Sequence, residues 1–249
     1  SGRYHPAPTM RLITYERGGA RRLGAWVGET VVDLPEAVGH PAFPPTMEAL
    51  VQHIGGSILD AAHDILDDEE IVDECAVARP RLLSPLVPST KPIAVLTDGG
   101  IPLAPQRRSV GAGLGCIVGA ARSRRMSRHE PRIFGYTLVA HWTGGKNEAP
   151  TTRVGPCVVT PEHIGDGALT LHVRIDGQPC GEKTFAAPNR VFGRLLADPS
   201  SGPPLEPGDL AAWMGWTFSG RKGGSAAMPH TVEVAAEPIG VLRAERPPK

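Results

Sequence analysis

The densest group of side chains able to do chemistry lies in "RIFGYTLVAHWTGGKNEAPTTRVGPCVVTPEHI", residues 132–164. His141 has an imidazole that titrates near neutral pH and can serve as a general base; a satisfied buried histidine is the competing reading. Lys146 supplies a cation that can meet a carboxylate or an enolate oxygen, or else an exposed turn lysine. Glu148, in the same glycine-rich turn, can orient His141, pair with Lys146 or sit in solvent. Arg153 offers a second cation. Trp142, and Trp216 further on, bring flat indole faces that bury about 150–250 Å² and stack on conjugated ligands; core packing is the alternative for both. A second glycine-rich stretch, "GWTFSGRKGGS" at 215–225, holds Thr217, Ser219 and Arg221 as further substrate contacts. It lacks the strand-then-helix setting of a phosphate loop, and reads as a mobile lid.

The elements that must position these groups are mostly short strands. Thirty glycines, 26 prolines and only 5% aromatics in 249 residues demand many turns. "MRLITYERGGARRLGAWVGETVVDL" alternates and turns on glycines as a meander. "TMEALVQHIGG" opens with Thr46 as an N-cap. "SILDAAHDILDDEE" sets Ile58, Leu59, Ala62, Ile65 and Leu66 on one helical face, with His63 on the helix surface. "ARPRLLSPLVPSTKP" is proline-rich, and the expected linker spans 79–92. Beyond it come "IAVLTDGG", "GCIVGAA", "RIFGYTLVAHW", "GPCVVTP" and "LTLHVRIDGQPC", the last turning at Asp176-Gly177 into "GEKTFAA" as a hairpin. "NRVFGRLLAD" is a short amphipathic helix; "LEPGDLAAWMGWT" and "HTVEVAAEPIGVLRAER" close the chain as strands. The expected divisions are an arm or tag remnant at 1–9, a small α+β domain at 10–78, the linker at 79–92 and a mainly β domain at 93–249.

Charge and cysteines exclude several classes. There are 26 basic and 26 acidic residues, so no overall field favours nucleic acid or an anionic membrane. Arg108, Arg122, Arg124, Arg125, Arg128 and Arg132 form a local basic run without interleaved aromatics, which reads as a solvated loop rather than a nucleic-acid surface. The four cysteines show no C-x-x-C spacing, so neither a zinc site nor a disulfide framework follows. No run approaches the roughly 20 apolar residues of a membrane helix. A cytoplasmic protein acting on a small molecule is the expectation.

Five segments in order resemble the fumarylacetoacetate hydrolase family. "FGYTL" (134–138) is similar to the strand before its "A-N-D-V" element. "GGKNEAPTTRVGPCVVTPEHI" (144–164) keeps the frame of "G-K-S-F-D-T-F-C-P-L-G-P-W-I-V-T-P-E-E-I". "LTLHVRIDGQ", "LEPGDLAAWMGWTFSG" and "VEVAAEPIGVLRAER" follow at the matching places, and the opening resembles the family's small N-terminal domain. The resemblance implies a mixed α/β, mainly β fold: a β-roll of mixed sheets around a pocket, paired as a homodimer. It implies chemistry on 2-oxo and β-diketo acids, assisted by a Mg²⁺-type ion that carboxylates hold.

Against that pattern the chain departs at the metal. "GAGLGCIVG" puts Gly111 and Gly113 where the family has two glutamates, and "VAHW" puts His141 where it has aspartate. Between residues 99 and 161 the only acids are Glu130 and Glu148. No metal and no other cofactor is therefore expected, since one His and one Glu suit a hard dication poorly. The segment that carries a His–Glu pair in the family is reduced here to "KPIAVLTDGGIPLAPQRRSVGAG". Lys146 matches the family's pocket lysine, Arg153 stands at a proline, and Trp216 falls at the threonine of "T-G-T-P". The resulting expectation is a metal-independent enzyme acting on a conjugated oxo or polyketide-like compound: a cyclase, isomerase, dehydratase or decarboxylase. Abundant Ala, Gly, Pro and Arg suggest a high-GC genome and specialised metabolism. A non-catalytic binding or scaffolding protein and a residual C–C bond hydrolase are the alternatives.

Overall fold

The structure is a computed structural model that describes residues 10–53, 57–87, 94–97, 109–120, 133–143, 149–165, 167–197, 205–219 and 228–246. The arm at 1–9 and the arginine run lie outside the described residues. The chain opens with three antiparallel strands, β1 (Arg11–Arg17), β2 (Ala20–Val27) and β3 (Thr30–Asp33). Gly18 and Gly19, both at positive φ, make the first turn, where an L side chain would be strained. Four short helices follow: α1 (Leu34–Val38), α2 (Met47–Val51), α3 (Ser57–Leu66) and α4 (Glu69–Glu74). Thr46 caps α2 through Ala49 N at 3.2 Å. The helical run at 57–70 is broken because Asp68 caps a new helix through Glu70 N.

The remaining strands are β4 (Arg81–Leu83), β5 (Ala94–Thr97), β6 (Ser109–Val118), β7 (Ile133–Thr143), β8 (Thr151–Val159), β9 (Ala168–Ile175), β10 (Gln178–Ala186), β11 (Leu210–Ser219), β12 (Thr231–Ala236) and β13 (Gly240–Glu245). Two short helices, α5 (Pro161–Ile164) and α6 (Pro188–Ala197), sit among them. One nine-stranded sheet runs β3-β2-β1-β8-β7-β6-β11-β5, with β4 also on β1; the second sheet runs β10-β9-β12-β13. All described pairings are antiparallel except β11 with β5. The fold is mixed α/β and mainly β.

The stretch expected as a linker departs from that reading. Arg81, Leu82 and Leu83 pair with Glu16, Tyr15 and Thr14, because Pro80 and Pro85 flank these three residues rather than interrupt them. The N-terminal strands are also stitched to the larger unit: Arg11 and Leu12 pair with Val159 and Val158. Residues 10–78 thus share a sheet with the rest.

Strand alternation separates two layers of core. Between the sheets lie Val110, Ala112, Leu114, Leu138, Ala140, Leu171, Val173, Val232 and Val234. An aromatic chain runs through this layer: Tyr136 to Phe192 at 5.8 Å, Phe192 to Phe185 at 5.6 Å, and Phe185 stacked on Trp213 at 4.5 Å. α6 is anchored by Asn189, which accepts from Tyr136 Oη at 2.7 Å and donates to the Gly165 carbonyl at 3.0 Å. On the outer face, Leu12, Leu23 and Val32 pack against Met47, Leu50, Ala62, Leu66 and Val72 of the helices. The 176–177 hairpin forms as its sequence requires, with both Asp176 and Gly177 at positive φ.

Candidate functional site

His141 sits near the end of β7, directly opposite Gly111 of β6 and Thr152 of β8. Gly111 in turn faces Thr217 of β11. Partners across a sheet share a face, so Thr152, His141, Gly111 and Thr217 form one row. The next row outward contains Thr143 opposite Ser109. These two hydroxyls are 2.7 Å apart, and Thr143 Oγ1 also accepts from Ser109 N at 2.9 Å. Inward of His141 the same face becomes apolar, with Val139, Val154, Ala212 and Met214. The site is therefore one imidazole among hydroxyls, floored by glycine.

His141 is 8% exposed, and its Nδ1 lies 3.0 Å from Thr152 Oγ1. Burial holds its pKa below the ordinary histidine value, so the ring is neutral at pH 7. Fixing one nitrogen on Thr152 defines the role of the other: when Nδ1–H donates to Thr152, Nε2 carries the lone pair.

The other candidate residues are distributed differently. Lys146, Glu148 and Arg221 lie outside the described residues, as does the side chain of Ser219. Thr217 is on the His141 face and exposed. Trp142, one residue along from His141, necessarily points through the sheet to the opposite side, where it is 4% exposed within the inter-sheet core. Arg153 faces Ala140, on that same inner side, and is exposed.

Trp216 is a correction with a specific cause. Met214 pairs with Gly113 and Trp216 with Ala112, so Gly215 is an extra residue, a β-bulge. The bulge reverses the alternation beyond it. Trp216 turns into the inter-sheet core and Thr217 takes the place beside Gly111. His141 and the two tryptophans therefore do not line one pocket. The lid expected at 215–225 is also altered: residues 215–219 belong to β11, and 220–225 lie outside the described residues.

Ser109, Thr143 and Thr152 were not singled out from the sequence. Period-two counting from His141 along β7 would have marked Thr143 as its nearest neighbour on that face. Ser109 and Thr152 depend on the pairing register.

Gly111, Gly113 and His141 hold the three positions that the resemblance assigns to metal carboxylates. The register brings them onto one face of adjacent strands, with Gly111 opposite His141 and Gly113 opposite Val139. What they offer is a single imidazole nitrogen. A Cβ on Gly113 would lie 1.8 Å from the Trp213 carbonyl oxygen, so the bulged β11 backbone occupies the room that a side chain there would need. No group of three His, Cys, Asp or Glu among the described residues is placed to hold a metal ion. This donor set does not fit a hard divalent cation.

The comparisons agree on ancestry. The profile of the Fumarylacetoacetate (FAA) hydrolase C-terminal family matches residues 70–245. No curated protein matches the sequence. Among solved structures, the fumarylacetoacetate hydrolase of the psychrophile Exiguobacterium antarcticum is similar at 15% identity and TM-score 0.61, over 97% of this chain and 100% of that one. Maleylpyruvate hydrolase of Sphingobium sp. SYK-6, in complex with manganese(II) ion and pyruvate, is similar at 16% identity and TM-score 0.58, over 95% and 98%. The 2-hydroxyhepta-2,4-diene-1,7-dioate isomerase of Mycobacterium marinum shows 17% identity and TM-score 0.54, over 94% and 97%. At these identities the solved structures speak to the fold, and the family profile, covering more than half the chain, speaks to membership. This chain belongs to the fumarylacetoacetate hydrolase family.

Proposed function

We propose that this chain is a metal-independent enzyme that moves a proton on a conjugated oxo compound, a 2-oxo acid, β-diketo acid or polyketide-like molecule, with His141 as the base. The observation that carries the reading is His141 itself: buried, neutral, tethered through Nδ1 to Thr152, and opposite Gly111, which presents no side chain to it. A neutral imidazole held in one orientation can take a proton from the carbon next to a carbonyl through Nε2 and return it elsewhere. Isomerisation, aldol-type cyclisation and dehydration of a β-hydroxy carbonyl pass through such a step; decarboxylation reaches the same enolate by loss of CO₂ and needs only the return of a proton to carbon. Retro-Claisen hydrolysis needs an activated water and strong enolate stabilisation besides, and is disfavoured.

Hydroxyls of Thr217, Ser109 and Thr143 on the same face would hold the substrate's oxygens. We keep Lys146 as the cation for the developing enolate and Glu148, Ser219 and Arg221 as contacts on the strength of the sequence. Relatives named as a hydrolase of maleylpyruvate and an isomerase of a hydroxydiene-dioate support an oxo-acid substrate class. A homodimer in the cytoplasm, in specialised metabolism, completes the proposal. No helix among the described residues is long and apolar enough to cross a membrane.

The test is deuterium exchange in D₂O with EDTA present, followed by ¹H NMR on acetylpyruvate and other β-diketo acids. Wild type is expected to exchange the carbon-bound protons between the carbonyls faster than buffer, and His141→Ala to fall to the buffer rate. Exchange that requires added Mn²⁺, or that survives His141→Ala, would sink the proposal. Binding without exchange in wild type would favour the non-catalytic reading.

A further inference from the structure

We propose that the N-terminal strands carry a second small-molecule site, for a compact dianion such as a phosphate monoester or a small dicarboxylate, three strands across the large sheet from the strand of His141. β3 pairs with β2 only from Gly24 to Val27, so residues 20–23 of β2 have one edge without a neighbouring strand. At that edge the Pro45 carbonyl accepts from Leu23 N at 2.9 Å. A cavity of about 620 Å³ lies there, lined by Arg17, Ala20, Arg21, Arg22, Glu36 and Pro45. Alternation puts Arg17 and Arg22 on one face of the sheet and Arg21 on the other, so the arginines reach the edge from both sides.

The guanidiniums are held in place but not used up. Arg22 donates to Asp33 from Nε at 2.6 Å and from Nη2 at 3.1 Å. Arg17 Nη1 donates to Asp33 at 2.9 Å and to Glu36 at 2.6 Å. Arg21 Nη2 donates to the Ser84 carbonyl at 2.8 Å and lies 3.1 Å from Glu48. A guanidinium offers five N–H donors, so each arginine keeps donors beyond these bonds. One of them is Arg21 Nε, which is buried and has no hydrogen-bond partner among the described residues. A ligand oxygen is a partner of the right kind.

The local charges balance, Arg17, Arg21 and Arg22 against Asp33, Glu36 and Glu48, but they are not equally fixed. The Asp33 side chain is 1% exposed, whereas those of Glu36 and Glu48 are 50% and 39% exposed, and exposed ion pairs are weak. A ligand can therefore take the place of both glutamates on Arg17 and Arg21. Replacing two carboxylates calls for two negative charges. Planar guanidiniums match the paired oxygens of a phosphate or a carboxylate.

Arginine ¹H–¹⁵N spectra test this at the buried donor. The probes are inorganic phosphate and succinate, with acetate as the monoanion and chloride holding the ionic strength constant. The Arg21 Nε–H signal is assigned through Arg21→Lys. The expected result is a saturable downfield shift of that signal with a dianion, and binding of acetate at least about tenfold weaker. A response to phosphate alone assigns a phosphate monoester, and one to succinate alone a dicarboxylate. In calorimetry, Glu36→Gln should tighten binding about threefold or more by removing the competing carboxylate, and folded Arg21→Lys should weaken it about tenfold. The proposal is overturned if the Arg21 signal is unmoved at roughly 10 mM of either dianion, or if acetate binds equally well. Affinity that does not rise in Glu36→Gln, or does not fall in folded Arg21→Lys, would overturn it as well. His141→Ala should leave the binding intact; because the His141 reading is tested by proton exchange, either idea can fail alone.

Discussion

Replacing Gly113 by alanine tests the bulge more sharply than any other single change. Its added Cβ would stand 1.8 Å from the Trp213 carbonyl oxygen, 2.9 Å from the Trp213 carbonyl carbon and 3.1 Å from Met214 Cα. All three are backbone atoms, so no side-chain rotation relieves the clash. Strands β6 and β11 must part by more than an ångström at the centre of the sheet. Overpacking of this kind costs about 1–3 kcal/mol, and two disturbed ladder hydrogen bonds add about 0.5–1.5 kcal/mol each. Restricting the unfolded chain returns about 0.4–1 kcal/mol. The net expectation is a loss of about 3 kcal/mol, or roughly 6–12 °C in Tm for a chain of this size.

Gly115→Ala is the internal control. There the added Cβ meets Val139 Cγ2 at 2.5 Å, Leu210 Cδ1 at 3.0 Å and Thr137 Cγ2 at 3.3 Å, all side-chain ends that can yield. Its cost should stay near about 1 kcal/mol. Urea unfolding followed by circular dichroism measures both. A loss under about 1 kcal/mol for Gly113→Ala, or one no greater than for Gly115→Ala, would refute this packing. In that event β11 does not fill the space of a side chain at 113 and does not exclude a carboxylate there.

Two further outcomes follow from buried charge. Asp33, 1% exposed, accepts from Tyr15 Oη, from Arg17 at 2.9 Å, from Arg22 at 2.6 and 3.1 Å, and from Glu36 N at 2.9 Å. Burial alone would raise its pKa, but the Arg22, Tyr15, Glu36 and Arg17 hydrogen bonds outweigh it and hold the carboxyl below its ordinary value. Its stabilisation is therefore full above the unfolded pKa near about 3.9, and is lost as pH falls through the lower folded value. Asp33→Asn should cost about 3 kcal/mol or more at pH 7 by leaving the arginines without their shared partner, and should flatten the acid limb of a stability–pH curve. An unchanged acid limb would contradict this. His141 should titrate below the unfolded value near about 6.5 in ¹H–¹⁵N NMR, with stability present above that value and lost as pH falls through the folded one. A His141 midpoint at or above 6.5 would show that the ring is not buried as a neutral group.

Much of the fold was legible because local physics writes it locally. Alternation marked the strands, Asp176-Gly177 marked a hairpin that requires two residues at positive φ, and Thr46 marked a helix start. The glycines in "GAGLG" are visible in the sequence at the positions where the resemblance expects carboxylates. Even the separation of His141 from Trp142 was implicit, since neighbours on a strand face opposite ways.

Other features depended on partners distant in sequence. The pairing of Arg11 and Leu12 with Val159 and Val158 joins the N-terminal unit to the large sheet, and no local pattern announces such a contact. Thr152 became the partner of His141 only through the register of β7 on β8. The decisive case is Gly215. Residues 215–225 read as a glycine-rich lid, and plain alternation carried on from Trp213 would put Trp216 on the His141 face and Thr217 inside. A single extra residue, accommodated where β11 crosses glycine rather than a side chain on β6, reverses that parity. A bulge is a property of two strands together, so one strand's sequence cannot declare it; the sheet decided which residues share a face with His141.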